Sequence, residues 1–217
     1  MIIDLHLNEK SVIIVGAGNE ALKRIKLLAN EGCEIIVIGE KPITEITKLS
    51  QKKKITLKKF KITSTSFLKK YKPFLVIAST TDSVLNQKIV QTAKKMKILA
   101  YASDSPDSSD ISYMSLIDIK KTIKVAISTS GSSPIMAKKI KSKAEKCLQK
   151  NISDQDIELI KIQKFARKES KKHILTQIER KKFLYELMND KRVKELLKDG
   201  KYKAIQTTIK KMVKDWK

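Results

Sequence analysis

The sequence predicts an α/β protein: a doubly wound parallel sheet, then a β-hairpin with a helix, then a small all-helical domain. Three observations carry that expectation. Short apolar runs alternate with helix-period segments over about the first hundred residues, as parallel strands joined by crossover helices require. The first run ends in a glycine-rich turn that opens a helix. From about residue 151 onward every periodic segment is helical.

Taken in order, SVIIV (11–15) is nearly all apolar and stops at glycine, the pattern of a strand covered on both faces. Residues 18–31 place Ala21, Leu22, Ile25, Leu28 and Ala29 at helical spacing. EIIVI (34–38) is the second strand, residues 43–53 a helix, and ITLKKF (55–60) a weaker strand. FLVIAS (74–79) is a strong strand, followed by a helix over 83–96 and a fifth strand, ILAYAS (98–103). The rhythm then changes. ISYMSLID and TIKVAIS, separated by Ile119-Lys120-Lys121, read as an antiparallel pair. Residues 131–150 follow as a helix with Ser133 as N-cap and Pro134 at the first helical position. SDQD (153–156) and TQIE (176–179) are helix starts, the second a capping box. Phe183, Leu184, Leu187 and Met188 form one stripe expected to pack as core, and Gly200 separates two last amphipathic pieces. The expected division is an α/β domain over 1–112, a linking element over 113–150 and a helical domain over 151–217.

At 217 residues and 41% hydrophobic content the chain can bury an ordinary core despite 32% charged residues. Cys33 and Cys147 stand far apart without His or Cys at ligand spacing. That argues against a disulfide framework or zinc site and fits a reducing cytoplasm. His6 and His173 belong to no ligand-like cluster, so no protein-bound metal is expected. The start lacks the basic and apolar regions of a signal peptide, and no apolar run approaches the ~18–20 residues a spanning helix needs. The expectation is a soluble cytoplasmic protein without a membrane partner. The net charge of +24 suits nucleic acid, an anionic membrane surface or a polyanionic small substrate, and also a merely lysine-rich composition. RKESKKH and ERKKF in the tail are interleaved with acids and accompany no nucleic-acid motif, so no nucleic-acid partner is expected.

The first strand runs into Gly16-Ala17-Gly18-Asn19-Glu20-Ala21, a G-x-G-x-x-A pattern. Gly16 permits the tight turn, Gly18 leaves room for a pyrophosphate, and Ala21 lets the helix pack close to the strand. The N–H groups opening the helix and its positive dipole end favour phosphate. Glu40, just past the second strand, is placed to bind ribose hydroxyls. It favours NAD over NADP, although Lys41 stands beside it. This is the signature of a Rossmann-type dinucleotide site, the other reading being a glycine-rich turn kept for packing alone.

Four segments in this order, VIIVGAGNEALKRIKLL, ASTTDSVLNQKI, YASDSPDSSDISYMSLID and VAISTSGSSPIMAKKIK, resemble the precorrin-2 dehydrogenase family, the dehydrogenase–ferrochelatase module of siroheme synthesis. The likeness covers about residues 1–150 and is fainter in the tail. It implies NAD-dependent oxidation of precorrin-2 to sirohydrochlorin, followed in some members by insertion of ferrous iron. It also implies a homodimer, with 113–150 as the dimerisation segment. By the same resemblance, Asp104 falls at the family's catalytic aspartate. Thr80, Thr81 and Asp82 lie near the nicotinamide end of the cofactor, where a plain helix cap is the other reading. Ser128 matches a serine near the tetrapyrrole, and the loop with Gly131, Ser132 and Ser133 offers N–H groups to substrate carboxylates. Lys138, Lys139 and Lys141 are candidates to attract the same carboxylates, or are a solvated helix surface. Asp107 and Asp110 read as turn residues. Four positions depart from the family pattern: Ala17 and Ser130 replace glycines, Glu20 a valine and Tyr101 an asparagine. The competing reading is a non-catalytic NAD-sensing module with a basic, partner-binding helical tail.

Overall fold

The structure, a computed structural model, describes residues 2–216. These divide into two compact units at Tyr113/Met114. The first unit holds five parallel strands, β1 (Ser11–Val15), β2 (Glu34–Ile38), β3 (Thr56–Lys58), β4 (Leu75–Ala78) and β5 (Leu99–Ala102), in the order β3-β2-β1-β4-β5. The chain leaves β1 in one direction for β2 and β3 and crosses back for β4 and β5, so the sheet is doubly wound with its switch point between β1 and β4. In-register pairing aligns Val15 with Ile38 and Ala78, and Ala78 with Ala102. Lys58, the end of β3, pairs with Ile38, so all five strands finish along one edge.

The apolar runs explain the layers. Alternate residues of a strand face opposite sides, and both sides here are covered. Val12, Ile14, Ile35 and Val37 join Ala21, Ile25 and Leu28 of α1 (Asn19–Leu28) and Ile46 of α2 (Thr44–Gln51) in one buried cluster. Ile13, Val15, Ile36 and Ile38 join Phe67 and Leu68 of α3 (Ser66–Tyr71) and Ile89, Val90 and Ala93 of α4 (Ser83–Lys95) in the other. The strand expectations hold, with β3 shorter than expected. α1 stops at Leu28 instead of running to 31, because the chain turns through Gly32 at a φ of +69°. α3 was not predicted.

The second unit begins with a hairpin, β6 (Ser115–Ile119) and β7 (Ile123–Ile127). Lys120 and Lys121 make its tight turn, both in left-handed conformation, with the Thr122 N–H donating to the Ile119 carbonyl. β6 starts four residues later than ISYMSLID suggests. Helices α5 (Pro134–Asn151), α6 (Asp154–His173), α7 (Gln177–Asn189), α8 (Lys191–Lys198) and α9 (Tyr202–Lys214) follow. Ile117, Ile119 and Ile157 are buried together, with Ala144 and Leu148 of α5 against them. Phe183 and Leu187 sit in a second cluster with Ile162, Val193, Ile205 and Ile209, and Trp216 meets Phe183 edge-on at 5.3 Å. Leu184 packs against that cluster, whereas Met188 leaves the expected stripe and lines a cleft. The reciprocal capping box stands at Ser153 and Asp156. At the start of α7 the Thr176 hydroxyl accepts from the Glu179 N–H, but the Glu179 carboxylate returns to the Thr176 hydroxyl. No helix among the described residues is long and apolar enough to cross a membrane.

Candidate active site

The residues that follow the aligned strand ends carry the candidate chemistry. After β1, Gly16 takes a φ of +113°, and a Cβ there would lie 2.4 Å from the Ser79 carbonyl oxygen. Glycine is required on both counts. Its N–H donates to the Ile38 carbonyl at 2.8 Å, and the Ser79 N–H donates to Val15 at 2.8 Å, so neighbouring loops are tied to the switch point. Gly18 is the N-cap of α1 and brings no capping side chain. A Cβ on it would meet nothing within 4 Å. The helix start thus opens on free space with Asn19 and Glu20 leading the first turn, which fits a phosphate of a bound nucleotide.

Two departures in this loop have a local structural account. Ala17 has no positive φ, and it packs where Gly39 has no side chain, since a Cβ on Gly39 would come within 2.6 Å of the Ala17 methyl. Glu20 is drawn along the helix by Lys23 and by Arg24, 3.6 Å away. The hydrogen bond from Lys23 holds its carboxyl below the usual carboxylate range. Glu40 and Lys41 follow β2, both exposed.

Asn86, which sequence reasoning missed, joins the ends of β4 and β5. It is completely buried on α4. Its Oδ1 accepts from the Thr80 hydroxyl at 2.7 Å and the Thr80 N–H at 3.2 Å. Its Nδ2 donates to the Thr80 carbonyl and to Oδ2 of Asp104, both at 3.1 Å. Asp82 caps α4 by accepting from the Leu85 N–H at 3.0 Å, so the helix-cap reading of that aspartate is correct, and Thr81 is exposed. Asp104 itself is exposed at the sheet edge, with one carboxylate oxygen fixed by Asn86. The sequence signal for Asn86 was an amide at a helix position in phase with Ile89, Val90 and Ala93.

The acidic, serine-rich stretch around Asp104 has a further task. β5 is an edge strand, and its outward N–H groups need partners. Ala102 donates to the Ser109 hydroxyl at 2.9 Å and Ala100 to the Asp110 carboxylate at 3.0 Å. Lys94 pairs with Asp110 at 3.3 Å. Asp110 is thus a turn residue that closes the edge, while Asp107 lies exposed in a single 3-10 turn (Pro106–Ser108).

Tyr101 belongs to a cluster that the sequence did not announce. Arg24 donates to its hydroxyl at 3.0 Å, and the guanidinium lies 4.9 Å from the Tyr101 ring and 4.3 Å from that of Tyr113. Burial pushes the Tyr113 phenol up to about 12, against a smaller opposing pull from Arg24.

In the second unit, Ser128 accepts from the Ser130 N–H at 3.0 Å. Ser130 and Gly131 are both left-handed, which explains the glycine expected at 130. Thr129 accepts from the Ser133 N–H at 3.1 Å, and Ser133 caps α5 through Met136 at 3.2 Å. Ser132 and Gly131 are exposed. Among the described residues no His, Cys, Asp and Glu group is arranged to hold a metal ion.

Comparisons agree with this architecture. An NAD(P)-binding family model, NAD_binding_7, matches residues 3–115. A siroheme synthase of Buchnera aphidicola subsp. Acyrthosiphon pisum is 30% identical over 210 residues, covering 96% of this chain and 42% of its own. A precorrin-2 dehydrogenase of Bacillus subtilis is 28% identical over 144 residues, covering 66% of this chain and 86% of its own. The chain thus spans less than half the length of the siroheme synthases it matches. The solved structure titled "SirC, precorrin-2 dehydrogenase" superposes with a TM-score of 0.69 at 23% identity, covering 97% of this chain and 99% of that one, which shows the shared fold.

Proposed function

The chain belongs to the NAD(P)-binding family matched over residues 3–115, and from that premise we propose that it oxidises precorrin-2 to sirohydrochlorin with NAD, Asp104 acting as the catalytic base. The observation that carries the reading is the Thr80–Asn86–Asp104 network. It fixes an exposed carboxylate at the edge where the nucleotide loop of the same sheet also ends.

The oxidation removes a hydride and a proton from the macrocycle. Bound NAD supplies the hydride acceptor. Gly16, Gly18 and the N–H groups of Asn19 and Glu20 hold its pyrophosphate. Glu40 takes the ribose hydroxyls, which favours NAD over NADP, with Lys41 at the rim. Thr80, Thr81 and Asp82 border the nicotinamide end. Asp104 accepts the proton, its second oxygen kept in place by the amide of Asn86. Ser128, Gly131, Ser132 and Ser133 receive substrate carboxylates through backbone N–H and hydroxyl groups. Two copies assemble through 113–150, a reading supported by the exposed apolar residues Leu116 (40% exposed) and Ile135 (79%). A cytoplasmic location fits two free cysteines.

An anaerobic assay with precorrin-2 and NAD tests this. NADH and sirohydrochlorin should appear in equal amounts, and Asp104→Asn should lower turnover by roughly 10²–10⁴-fold while NAD still binds. Ferrous iron added afterwards reads any chelatase step. NAD binding without turnover in the wild type would leave a sensing module in its place.

A further inference from the structure

Two residues that depart from the family pattern, Glu20 and Tyr101, meet at a third, Arg24. Glu20 stands in the first turn of α1, and Arg24, one turn on, brings a guanidinium nitrogen to 3.6 Å from its carboxylate. The same nitrogen donates to the Tyr101 hydroxyl at 3.0 Å. The guanidinium lies 4.9 Å from the Tyr101 ring and 4.3 Å from that of Tyr113, and the two rings meet edge-on at 4.9 Å. The Arg24 side chain is therefore only 14% exposed, against 65% for Lys23, the other cation on Glu20. Its Nε is buried without a hydrogen-bond partner. An uncharged side chain such as methionine would fill the space beside the rings and strand no donor. The positive charge is what distinguishes an arginine at this position.

That charge has a target. The first N–H groups of a helix have no partner within it, and Gly18, the N-cap of α1, brings no side chain to them. A carboxylate in the first turn is a competitor for those donors, drawn to them and to the positive end of the helix dipole. Folded back, Glu20 would take the space that a pyrophosphate enters and would repel it. Two cations pull the other way, along the helix. Lys23 makes the closer contact, but an exposed pair of long side chains holds weakly. Arg24 is braced on β5 and on Tyr113, so its pull has a fixed origin.

We propose that Arg24 is a positioning residue for cofactor binding: held by Tyr101 and Tyr113, it keeps the Glu20 carboxylate withdrawn from the phosphate loop. The inference rests on the nucleotide reading of that loop and adds to it a residue that acts through another.

Calorimetric titration of the whole chain with NAD, with urea unfolding in parallel, tests this in a double-mutant cycle. Arg24→Met should weaken NAD about tenfold, and adding Glu20→Val should bring the affinity back to within about twofold of the wild type. Glu20→Val alone should change it by less than about twofold, because the wild-type carboxylate is already withdrawn. The urea midpoint separates positioning from packing. It should fall in Arg24→Met and stay low in the double variant, since Glu20→Val returns no contact to Tyr101, while NAD affinity recovers. Should Arg24→Met fail to fold, Arg24→Gln, which keeps an amide donor for the Tyr101 hydroxyl, carries the same cycle. Equal NAD affinity in the wild type and the Arg24 variant overturns the proposal. So does an equal gain from Glu20→Val in both backgrounds, the mark of an acid acting by charge alone. Either result leaves the nucleotide reading standing, whereas a wild type that does not bind NAD defeats that reading and this one with it.

Discussion

Asn86 concentrates more of the candidate site in one side chain than any residue singled out by motif. It satisfies three polar groups of Thr80 and holds Asp104 from a completely buried position. Asn86→Ala removes the partners of the half-buried Thr80 groups and leaves a gap at a completely buried position, and should cost about 1–3 kcal/mol, read as a lower urea midpoint. As a positioning residue it should also displace the pH–rate profile, which a purely structural role would leave in place. Gly16→Ala should be worse for the cofactor: its φ of +113° and the 2.4 Å approach to Ser79 force the loop to move, and NAD binding by calorimetry should be lost. Tyr113 gives an alkaline signature. Its phenol holds its proton up to about 12 when folded, against 10 ordinarily, so its contribution is complete below the ordinary value and is lost as pH rises from 10 towards 12. Tyr113→Phe should flatten that limb of the stability curve in urea unfolding at successive pH values. Motif spacing pointed to Gly16, and the family resemblance pointed to Asp104 and Asp82, positions that are each local to a turn or strand end. Both were silent on Asn86, Arg24 and Tyr113, whose partners lie in distant segments that meet through the sheet.

Helix ends show how a glycine-poor, lysine-rich chain punctuates itself. After α2, α4 and α8 the chain closes with the same bond, from Lys54 to Leu49, Ile98 to Ala93 and Lys201 to Leu196, the pattern of a Schellman motif. The left-handed residue is Gly200 once, but Lys53 and Lys97 in the other two. A side chain in that conformation costs roughly 1–2 kcal/mol that glycine avoids. Lys97→Gly should therefore stabilise the protein by about 1 kcal/mol and Gly200→Lys should do the reverse, both measurable by chemical denaturation. Ser153→Ala, which removes the capping box of α6, should cost about 1 kcal/mol. The apolar period alone ended α2 and α4 within two residues of the expected 53 and 96, although a lysine does not announce a helix end as glycine does. α3 did escape: six residues, with Phe67 and Leu68 as its buried pair, show no period. β1 and β2 were legible to the residue because β-branched runs bounded by polar residues admit little else.

For the whole molecule, charge is the property that a measurement reaches first. With +24 net charges, association with the proposed polycarboxylate substrate should be steered at long range and screened by salt. We expect kcat/KM to fall steeply as ionic strength rises while kcat changes little. The strand order has a consequence in time during synthesis. β1 leaves the ribosome first, yet it lies at the middle of the sheet, with β2 on one side and β4 on the other. Some forty residues separate the end of β2 at Ile38 from the end of β4 at Ala78. At about 5–20 residues per second the nascent chain waits roughly 2–8 s with one apolar edge of Ser11–Val15 unmatched. The segment made in that interval is rich in lysine, from Lys41 through Lys72. Like charges carried on such a segment oppose edge-to-edge pairing of one open strand with another.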